Sequence, residues 1–280
     1  MLVADSGSTK TEWRLCQGAK VQQWVRTQGF NPSTTLPQQL QNEFLQIAKA
    51  QKWQEVPKIW FYSTGTGTEG RKADLKSALQ IAFPKADVQV MDDLTGAARS
   101  TLREEGVVAI LGTGSNAAYH HDGKIVSRHG GLGYLLGDEG SGADLGKHLL
   151  KGVLEERLPK AVSDFLHKQE GMPATELMRV IYQAPKPHLR LSTLAPYYQD
   201  LLGIEEVRSL LIQRFVAFLK LSVLPLTDGR NLLIDTIGSI GFYYQGIFAE
   251  ACEQLGLRPG KAILQPVDAL STYHLRMTED

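Results

Sequence analysis

Short apolar runs alternate with amphipathic stretches along the first part of the chain. Apolar runs bounded by polar or glycine-containing turns predict strands at Met1–Ala4, Thr11–Cys16, Val21–Arg26, Lys58–Tyr62 and Val88–Met91. A turn at Gly18-Ala19-Lys20 separates the second strand from the third. Apolar positions at helical spacing predict helices over Leu36–Trp53, Glu69–Phe83 and Leu94–Glu104.

The opening pattern recurs roughly 105 residues later in the chain. Val107–Leu111 is apolar and leads into a Gly/Ser/Thr turn, as Met1–Ala4 does. In each copy the next turn also contains a glycine, Gly18 in the first and Gly123 in the second. Further strands are predicted at Ala117–His121 and Ile125–Arg128. Two hairpins can resemble each other by chance, but recurrence on the scale of a domain favours a duplication.

The chain after Gly140 is mainly helical. Helices are predicted over Asp144–Leu154, Leu158–His167, Thr175–Gln183, Leu194–Leu202, Glu205–Leu221 and Tyr243–Leu255. Strands are predicted at Asn231–Ile237 and Ala262–Pro266, and a helix is predicted to begin at Pro266. Strands and helices interleave in both halves, which indicates an α/β protein. We expect an N-terminal domain over residues 1–105, a C-terminal domain with helical insertions over residues 106–266, and a segment 267–280 that packs back on the first domain.

Composition narrows the function classes. The 280 residues carry 30 basic and 30 acidic side chains, so the formal net charge is zero. A neutral chain lacks the bulk electrostatics of a nucleic-acid or membrane-surface binder, so we expect neither partner. Glycine is concentrated: twelve of the 27 glycines lie between Gly106 and Gly152, which favours binding loops built from the backbone.

The two cysteines, Cys16 and Cys252, are too few for a disulfide framework, a four-cysteine zinc site or an iron–sulfur cluster held within one chain. They are expected to be reduced core thiols, which indicates a cytoplasmic protein. The N-terminus lacks the pattern of a signal peptide, and no apolar run approaches the length of a membrane span.

Two turns suit a phosphate group. The first, Asp5-Ser6-Gly7-Ser8-Thr9-Lys10-Thr11, combines small residues, hydroxyls, a lysine and a carboxylate that can hold Mg²⁺ or its waters. The second, Gly112-Thr113-Gly114-Ser115-Asn116, has the same character without charge. Either could be an ordinary hairpin turn, but a repeated pair of such turns could hold one polyphosphate between them.

Three other segments carry candidate chemistry. Gly65-Thr66-Gly67-Thr68-Glu69-Gly70 fits the dinucleotide pattern G-x-G-x-x-G, but three strands and a helix precede it, so a glycine turn lining a cleft is favoured. Of Asp92 and Asp93, one is expected to cap a helix and the other to accept a hydroxyl proton. In Gly130–Gly142, Asp138 and Glu139 could bind sugar hydroxyls, or the loop could be purely structural.

The histidines His120, His121 and His129 lack a matched carboxylate or cysteine, so no metal site is predicted there.

Taken in order, these segments resemble the N-acetylglucosamine kinase branch of the superfamily that contains sugar kinases, heat-shock chaperones and actin, a branch that includes the BadF/BadG-type ATPases. The resemblance covers nearly the whole chain. It rests on Asp5–Thr11, Gly29-Phe30-Asn31, Ser63–Gly67, Asp93-Leu94-Thr95-Gly96, Gly112–Asn116, Gly130–Ser141 and Gly238–Gly241. It implies duplicated ribonuclease-H-like (actin-like ATPase) domains, with ATP and sugar bound in the cleft between them.

The resemblance also implies roles for individual residues. Asp93 matches the catalytic base, and Asp5 matches the acid near Mg²⁺. Positions that hold the sugar are matched by Asn31, Gly65, Gly131 and Asp138. ATP contacts are matched by Ser8, Thr9, Lys10, Thr113, Gly114, Ser115, Gly238, Ser239 and Gly241. Ser6 and Ser8 stand where glycine and threonine are common in the family, and His129 stands where some relatives have cysteine.

The sequence therefore predicts an ATP- and Mg²⁺-dependent kinase that phosphorylates an amino sugar, with N-acetylglucosamine at O6 as the leading substrate. Glucosamine or another hexose is an alternative substrate. A different class is an ATPase that activates a partner enzyme, as the related 2-hydroxyacyl-CoA dehydratase activators do. Those proteins join subunits through a cysteine-held cluster, and neither cysteine here lies in a glycine-rich interface motif. Dimers are the commonest oligomers, so a homodimer is the default expectation.

Overall fold

The chain separates into two compact units. In the computed structural model, the described residues are 1–18 and 20–277, so Ala19 of the predicted turn and the end of the predicted 267–280 segment lie outside them. The N-terminal unit comprises Met1–Glu104, the turn Asp122–Lys124 and the chain from Gln265 onward. The C-terminal unit comprises Glu105–His121 and Ile125–Leu264.

Ten strands and thirteen α-helices are found among the described residues. The strands are β1 Leu2–Ser6, β2 Lys10–Gln17, β3 Lys20–Gln28, β4 Lys58–Ser63, β5 Asp87–Asp92, β6 Glu105–Leu111, β7 Ser115–His121, β8 Lys124–Gly130, β9 Leu233–Ile237 and β10 Arg258–Ile263. The helices are α1 Pro37–Gln51, α2 Glu69–Ala82, α3 Asp93–Ser100, α4 Gly142–Leu154, α5 Lys160–Glu170, α6 Ala174–Gln183, α7 Pro187–Ser192, α8 Tyr197–Leu201, α9 Glu205–Phe218, α10 Leu224–Thr227, α11 Ser239–Tyr243, α12 Gln245–Glu253 and α13 Pro266–Arg276.

The two units have the same sheet topology. In the N-terminal unit the strand order is β3-β2-β1-β4-β5, with β1 antiparallel to β2 and parallel to β4, and β4 parallel to β5. In the C-terminal unit the order is β8-β7-β6-β9-β10, with the same directions for the corresponding pairs β6–β7, β6–β9 and β9–β10. The predicted α/β class and the duplication are thus confirmed.

Each unit has its own hydrophobic core. On one face of the N-terminal sheet, α1 and α2 bury Leu40, Phe44 and Leu79 against strand residues such as Trp13 and Phe61. Helices α3 and α13 pack with the strands through a second, smaller cluster that contains Val3, Tyr62, Val267 and Leu270. In the C-terminal unit the strands β6, β7 and β9 share one larger core with the helices that follow Gly140.

Two predicted boundaries are wrong for identifiable reasons. The last strand is Arg258–Ile263 and not Ala262–Pro266, because Pro266 begins α13, where its missing N–H costs nothing. Helix α3 ends at Ser100 and not at Glu104, because Leu102 has a left-handed backbone with φ 54°.

Of three further predicted helices, one is shorter than predicted and two are interrupted. The segment predicted as Leu194–Leu202 forms α8 only over Tyr197–Leu201 and is preceded by α7, which the sequence analysis missed. Tyr244 separates α11 from α12 within the predicted Tyr243–Leu255 helix. The predicted Glu205–Leu221 helix passes into a π-helical turn, Leu219–Val223, because Pro225 in the next turn has no N–H to donate.

This last run is the one helical segment of the described residues that is long and apolar enough to cross a membrane. It spans Glu205–Thr227 with a mean hydropathy of 1.6, and half of its most apolar window is buried. Leu211, Phe215 and Phe218 are fully buried in the core of the C-terminal unit. Packing within that core accounts for the apolar composition.

Candidate active site

In the N-terminal unit, the predicted site residues lie at the carboxyl ends of three parallel strands. Ser6 of β1 pairs in register with Ser63 of β4, and Ser63 pairs with Asp92 of β5. Asp5 and Asp93, which adjoin this row, are therefore brought to the same edge of the sheet. This edge is where open α/β sheets bind their ligands.

The first phosphate-like turn is held in place by a glycine on the adjoining loop. The turn is closed by a hydrogen bond from the Gly7 N–H to the Lys10 carbonyl, 2.9 Å long. The Gly29 N–H donates to the Thr9 carbonyl over 3.1 Å, and a Cβ on Gly29 would lie 2.2 Å from the Gly7 oxygen. Ser8, Thr9 and Lys10 are exposed, so their side chains can reach a phosphate group.

Ser6 has a structural role that the sequence analysis did not assign. Its buried Oγ accepts a 2.9 Å hydrogen bond from the Phe30 N–H and lies 2.7 Å from the Thr11 hydroxyl. The Ser63 hydroxyl donates to the Phe30 carbonyl over 2.8 Å. Phe30 is thus fixed at both backbone groups, which places the neighbouring Asn31 at the strand ends. The sequence feature that could have indicated this role is a small polar residue, Ser6, at the end of an apolar strand.

Asn31 and Gly65, both predicted as sugar-holding residues, lie against each other. A Cβ on Gly65 would be 1.9 Å from Asn31 Oδ1, and Gly65 has a φ of 76°. Asn31 Oδ1 also accepts hydrogen bonds from the N–H and hydroxyl of Ser33, at 2.9 and 2.6 Å. Only glycine fits at position 65, for reasons of both space and backbone conformation.

The two adjacent acids, Asp92 and Asp93, have different surroundings. Asp92 is the N-cap of α3, and its Oδ1 accepts hydrogen bonds from the N–H and hydroxyl of Thr95 at 2.8 and 3.0 Å. Asp93 accepts a 2.9 Å hydrogen bond from the Leu94 N–H and a further one from the Thr64 hydroxyl. Burial, reinforced by the charge of Asp92, raises the pKa of Asp93 to about 6.

Asp5 lies in a cluster of acidic groups. Burial raises the pKa of Asp5 to about 7, with further increases from Asp93 and Glu12 and an opposing effect of Lys10. Glu12 is buried and pairs with Arg14, Arg26 and Lys10, so the lysine is shared between the two acids. Carboxylate oxygens are ligands that Mg²⁺ prefers, so Asp5 fits the ion that the sequence analysis expects at this place.

In the C-terminal unit, the second turn is tied to the start of helix α4. The Gly112 N–H donates to the Gly114 carbonyl over 3.0 Å. The N–H groups of Gly142 and Ala143 donate to the carbonyls of Gly112 and Thr113, at 2.7 and 3.1 Å. These bonds fix the turn that contains the predicted ATP contacts Thr113 and Gly114.

Asp138 is also found beside this turn. Its carboxylate accepts hydrogen bonds from the N–H groups of Ser115 and Gly133, and a Cβ on Gly114 would lie 2.8 Å from its Oδ2. The Ser115 hydroxyl is buried and donates to the Glu139 carbonyl over 2.8 Å. The predicted sugar residue Asp138 and the predicted ATP residues Gly114 and Ser115 thus form one group.

Gly131, the other predicted sugar residue of this unit, adopts a φ of 68°. A Cβ on it would be 2.9 Å from the Asn116 side-chain nitrogen. Asn116 is thus a neighbour of the sugar-binding candidates to which the sequence analysis gave no role.

The predicted adenosine loop follows strand β9. Gly238 has a φ of 108°, donates its N–H to the Ile263 carbonyl over 2.9 Å, and would place a Cβ 2.7 Å from the Leu111 oxygen. Ser239 is exposed at the start of α11, and a Cβ on Gly241 would be 2.7 Å from the Thr236 Cβ. The loop therefore requires glycine at both positions.

The dinucleotide alternative for Gly65–Gly70 finds no support in the structure. The third glycine of that pattern normally permits close packing of the helix on the strand. A Cβ on Gly70 would have no atom within 4 Å, and the same is true of Gly67. Of the three glycines, only Gly65 lacks space for a side chain, and the nearest atom belongs to Asn31.

Comparison with known proteins agrees with this description. Residues 4–163 match the BadF/BadG/BcrA/BcrD ATPase family. The structure is similar to that of a putative N-acetylglucosamine kinase from Porphyromonas gingivalis, with 32% identity, a TM-score of 0.92 and 99% of each chain covered. No curated protein matches the sequence.

Two more distant structures share the fold. A putative N-acetylglucosamine kinase from Chromobacterium violaceum has 19% identity, a TM-score of 0.73 and 98% of each chain covered. The ROK hexokinase from Thermus thermophilus has 13% identity, a TM-score of 0.53 and complete coverage of both chains. The fold of this chain is therefore of the actin-like type, with two related α/β domains.

Proposed function

The chain belongs to the BadF/BadG/BcrA/BcrD ATPase family and is an ATP-dependent sugar kinase, and we propose that it phosphorylates N-acetylglucosamine at O6. The full-length similarity to the putative N-acetylglucosamine kinase from P. gingivalis supports an amino sugar as substrate. The observation that carries the proposal is the Asp93 carboxyl. It directly follows β5, at the sheet edge where Asp5 also lies, while Asp92 takes the role of helix cap.

We assign the role of general base to Asp93. A base works best when its pKa is near the working pH, and the raised pKa of about 6 leaves Asp93 ionised yet basic near neutral pH. The hydrogen bonds from Thr64 and Leu94 orient the carboxylate before substrate arrives. The base would accept the proton of the sugar hydroxyl as that oxygen attacks the γ-phosphorus of ATP.

Asn31 and Gly65 are proposed to hold the sugar in the N-terminal unit, and Gly131 and Asp138 in the C-terminal unit. The side-chain NH₂ of Asn31 offers two donors for sugar hydroxyls. Its own oxygen is fixed by Ser33, so its direction is set in advance. Preorganised contacts of this kind convert binding energy into correct positioning of the reacting hydroxyl.

The ATP contacts are proposed to be Ser8, Thr9, Lys10, Thr113, Gly114, Ser115, Gly238, Ser239 and Gly241. Asp5 would hold Mg²⁺, directly or through its waters, and the ion would neutralise charge on the phosphates. In each unit the turn is fixed by hydrogen bonds from the neighbouring segment. Backbone groups that are already in place need no reorganisation during the reaction.

The activator-type ATPase alternative lacks a supporting observation. That function requires cysteines that can reach a cluster at a subunit interface. Cys16 and Cys252 are both buried, with 2% and 0% of their surfaces exposed.

The proposed function is tested by sugar-dependent ADP release across N-acetylglucosamine, glucosamine, N-acetylmannosamine and glucose. We expect N-acetylglucosamine to be turned over best, and its 6-deoxy analogue to release no ADP, because it lacks the attacking hydroxyl. Asp93→Asn is expected to lower kcat by about 100-fold or more while ATP affinity stays within about twofold, because the base touches the sugar and not the nucleotide. Equal turnover of glucose would refute the N-acetyl specificity, and near-normal turnover by Asp93→Asn would refute the assignment of the base.

A further inference from the structure

Helix α3, which begins at Asp93, lies directly on the ring of Tyr62. A Cβ on Gly96 would be 2.8 Å from Tyr62 Cδ1, so an alanine there would push the helix and the ring apart. One turn later, the Arg99 guanidinium donates a 2.9 Å hydrogen bond to the Tyr62 hydroxyl. Tyr62 is fully buried, so its ring has little freedom to move away.

The hydroxyl of Tyr62 is also bonded to the C-terminal helix. His274 Nε2 lies 2.7 Å from it, and the imidazole stacks on Trp60 with ring centres 4.0 Å apart. Arg99 can only donate, so the Tyr62 oxygen accepts that bond and its own proton is available to a neutral His274. A buried tyrosine thus links α3 to α13.

Helix α13 is itself firmly attached at its other end. The Arg14 guanidinium of β2 forms two hydrogen bonds with the Asp268 carboxylate, at 2.6 and 3.3 Å. Between the two ends, Val267 and Leu270 are fully buried beside Tyr62. The helix is thus fixed to the sheet over its whole length.

We propose that Tyr62, Gly96, Arg99 and His274 form a support that sets the position of helix α3 and hence of the Asp93 carboxylate. We call these four residues the Tyr62 support. They are positioning residues, since none is proposed to touch sugar or ATP. The inference rests on the proposed role of Asp93 as the base. It makes the last turn of α13, which contains His274, necessary for the reaction and not only for stability.

The first test compares two glycine substitutions in helices of the same unit. Gly96→Ala is expected to lower kcat by about 10- to 100-fold, because a displacement near 1 Å is enough for a loss of that size, with KM for ATP unchanged. Gly70→Ala in α2 is the matched control, because its Cβ would meet no atom within 4 Å. The loss from Gly96→Ala should shrink in a Tyr62→Leu background, because the smaller side chain leaves room for the methyl group.

The second test concerns the acceptor on α13. His274→Gln keeps an oxygen that can accept the Tyr62 proton, whereas His274→Leu does not, and both remove the imidazole stack on Trp60. We expect His274→Leu to lose about tenfold in kcat, with KM for ATP unchanged and with faster amide exchange in α3. His274→Gln should restore most of that turnover.

The two proposals fail in distinguishable ways. If the wild-type enzyme phosphorylates an amino sugar while Gly96→Ala and His274→Leu retain kcat within twofold, the support is refuted and the proposed function stands. If both variants lose turnover only in proportion to the fraction that is unfolded, or if the Gly96→Ala loss is undiminished in the Tyr62→Leu background, the support is again refuted. If the wild-type enzyme phosphorylates no sugar, the proposed function fails, and the support fails with it.

Discussion

The pH dependence of stability at His274 can be predicted from its surroundings. Burial, together with the positive charges of Arg99 and Lys58, lowers the pKa of His274 from an ordinary 6.5 to about 3. The folded protein therefore keeps this imidazole neutral, whereas the unfolded chain protonates it below about pH 6.5. Proton uptake by the unfolded state means that stability is lost as pH falls through 6.5.

The size of the effect follows from the difference in proton affinity. At pH 5 the unfolded histidine lies about 1.5 pH units below its midpoint, which corresponds to about 2 kcal/mol of lost stability. His274 is only 2% exposed, so solvent screening reduces this little. His274→Gln removes the titrating group. The variant should be less stable than wild type at pH 7.5, where it lacks the stack on Trp60, and the gap should narrow by about 2 kcal/mol at pH 5.

The assay is urea unfolding followed by tryptophan fluorescence between pH 5 and 7.5. All four tryptophans of the chain are described residues of the N-terminal unit. Of the seven histidines, His274 is the one in that unit. The fluorescence therefore reports on the unit that contains the substituted histidine. His167→Gln, on the exposed side of α5 in the C-terminal unit, is the control. A gap between wild type and His274→Gln that stays constant or widens towards pH 5 would contradict the reasoning, because it would mean that the folded protein accepts the proton.

Two further substitutions test the geometry of each unit. Gly65→Ala should raise KM for the sugar at least about tenfold with KM for ATP unchanged, because its Cβ would displace Asn31. Gly67→Ala is the control, because its Cβ would meet no atom within 4 Å. Equal effects of the two substitutions would contradict this prediction. Asp144→Ala should lower the free energy of unfolding by about 3 kcal/mol, measured by urea titration followed by circular dichroism. The substitution leaves the Arg214 guanidinium, whose Nε lies 2.7 Å from the Asp144 carboxylate, without its buried partner. A loss below about 1 kcal/mol would show that the ion pair contributes little to stability.

Much of the fold follows from local patterns in the sequence. The strands that open each half are short apolar runs ended by glycine turns, and the turn glycines Gly18 and Gly123 adopt φ values of 55° and 66°. Where prediction failed, the deciding feature was a single residue acting against the pattern. Pro266 starts a helix and does not end a strand, and Leu102 ends α3 with a left-handed backbone that nothing in its side chain requires.

The candidate site could be predicted in outline because parallel strands bring their carboxyl ends to one edge. That rule groups Asp5 with the Asp92-Asp93 pair, although more than 80 residues separate them in the chain. It does not say which of the two adjacent acids caps the helix. Helix α3 supplies that answer, because its first N–H groups need a cap and Asp92 stands at the N-cap position.

Contacts between loops lay outside the reach of sequence patterns. Nothing local to Gly65 indicates that a side chain there would strike Asn31, and nothing local to Asp138 indicates that it lies against Gly114. In both cases, two loops from different strand ends meet at a glycine. In these loops, the lack of a Cβ leaves space for a side chain from another loop. In a hairpin turn, it instead permits a backbone conformation that other residues avoid. This explains why glycine is concentrated in the loops of the candidate site, and why Gly65→Ala is a direct test of that site.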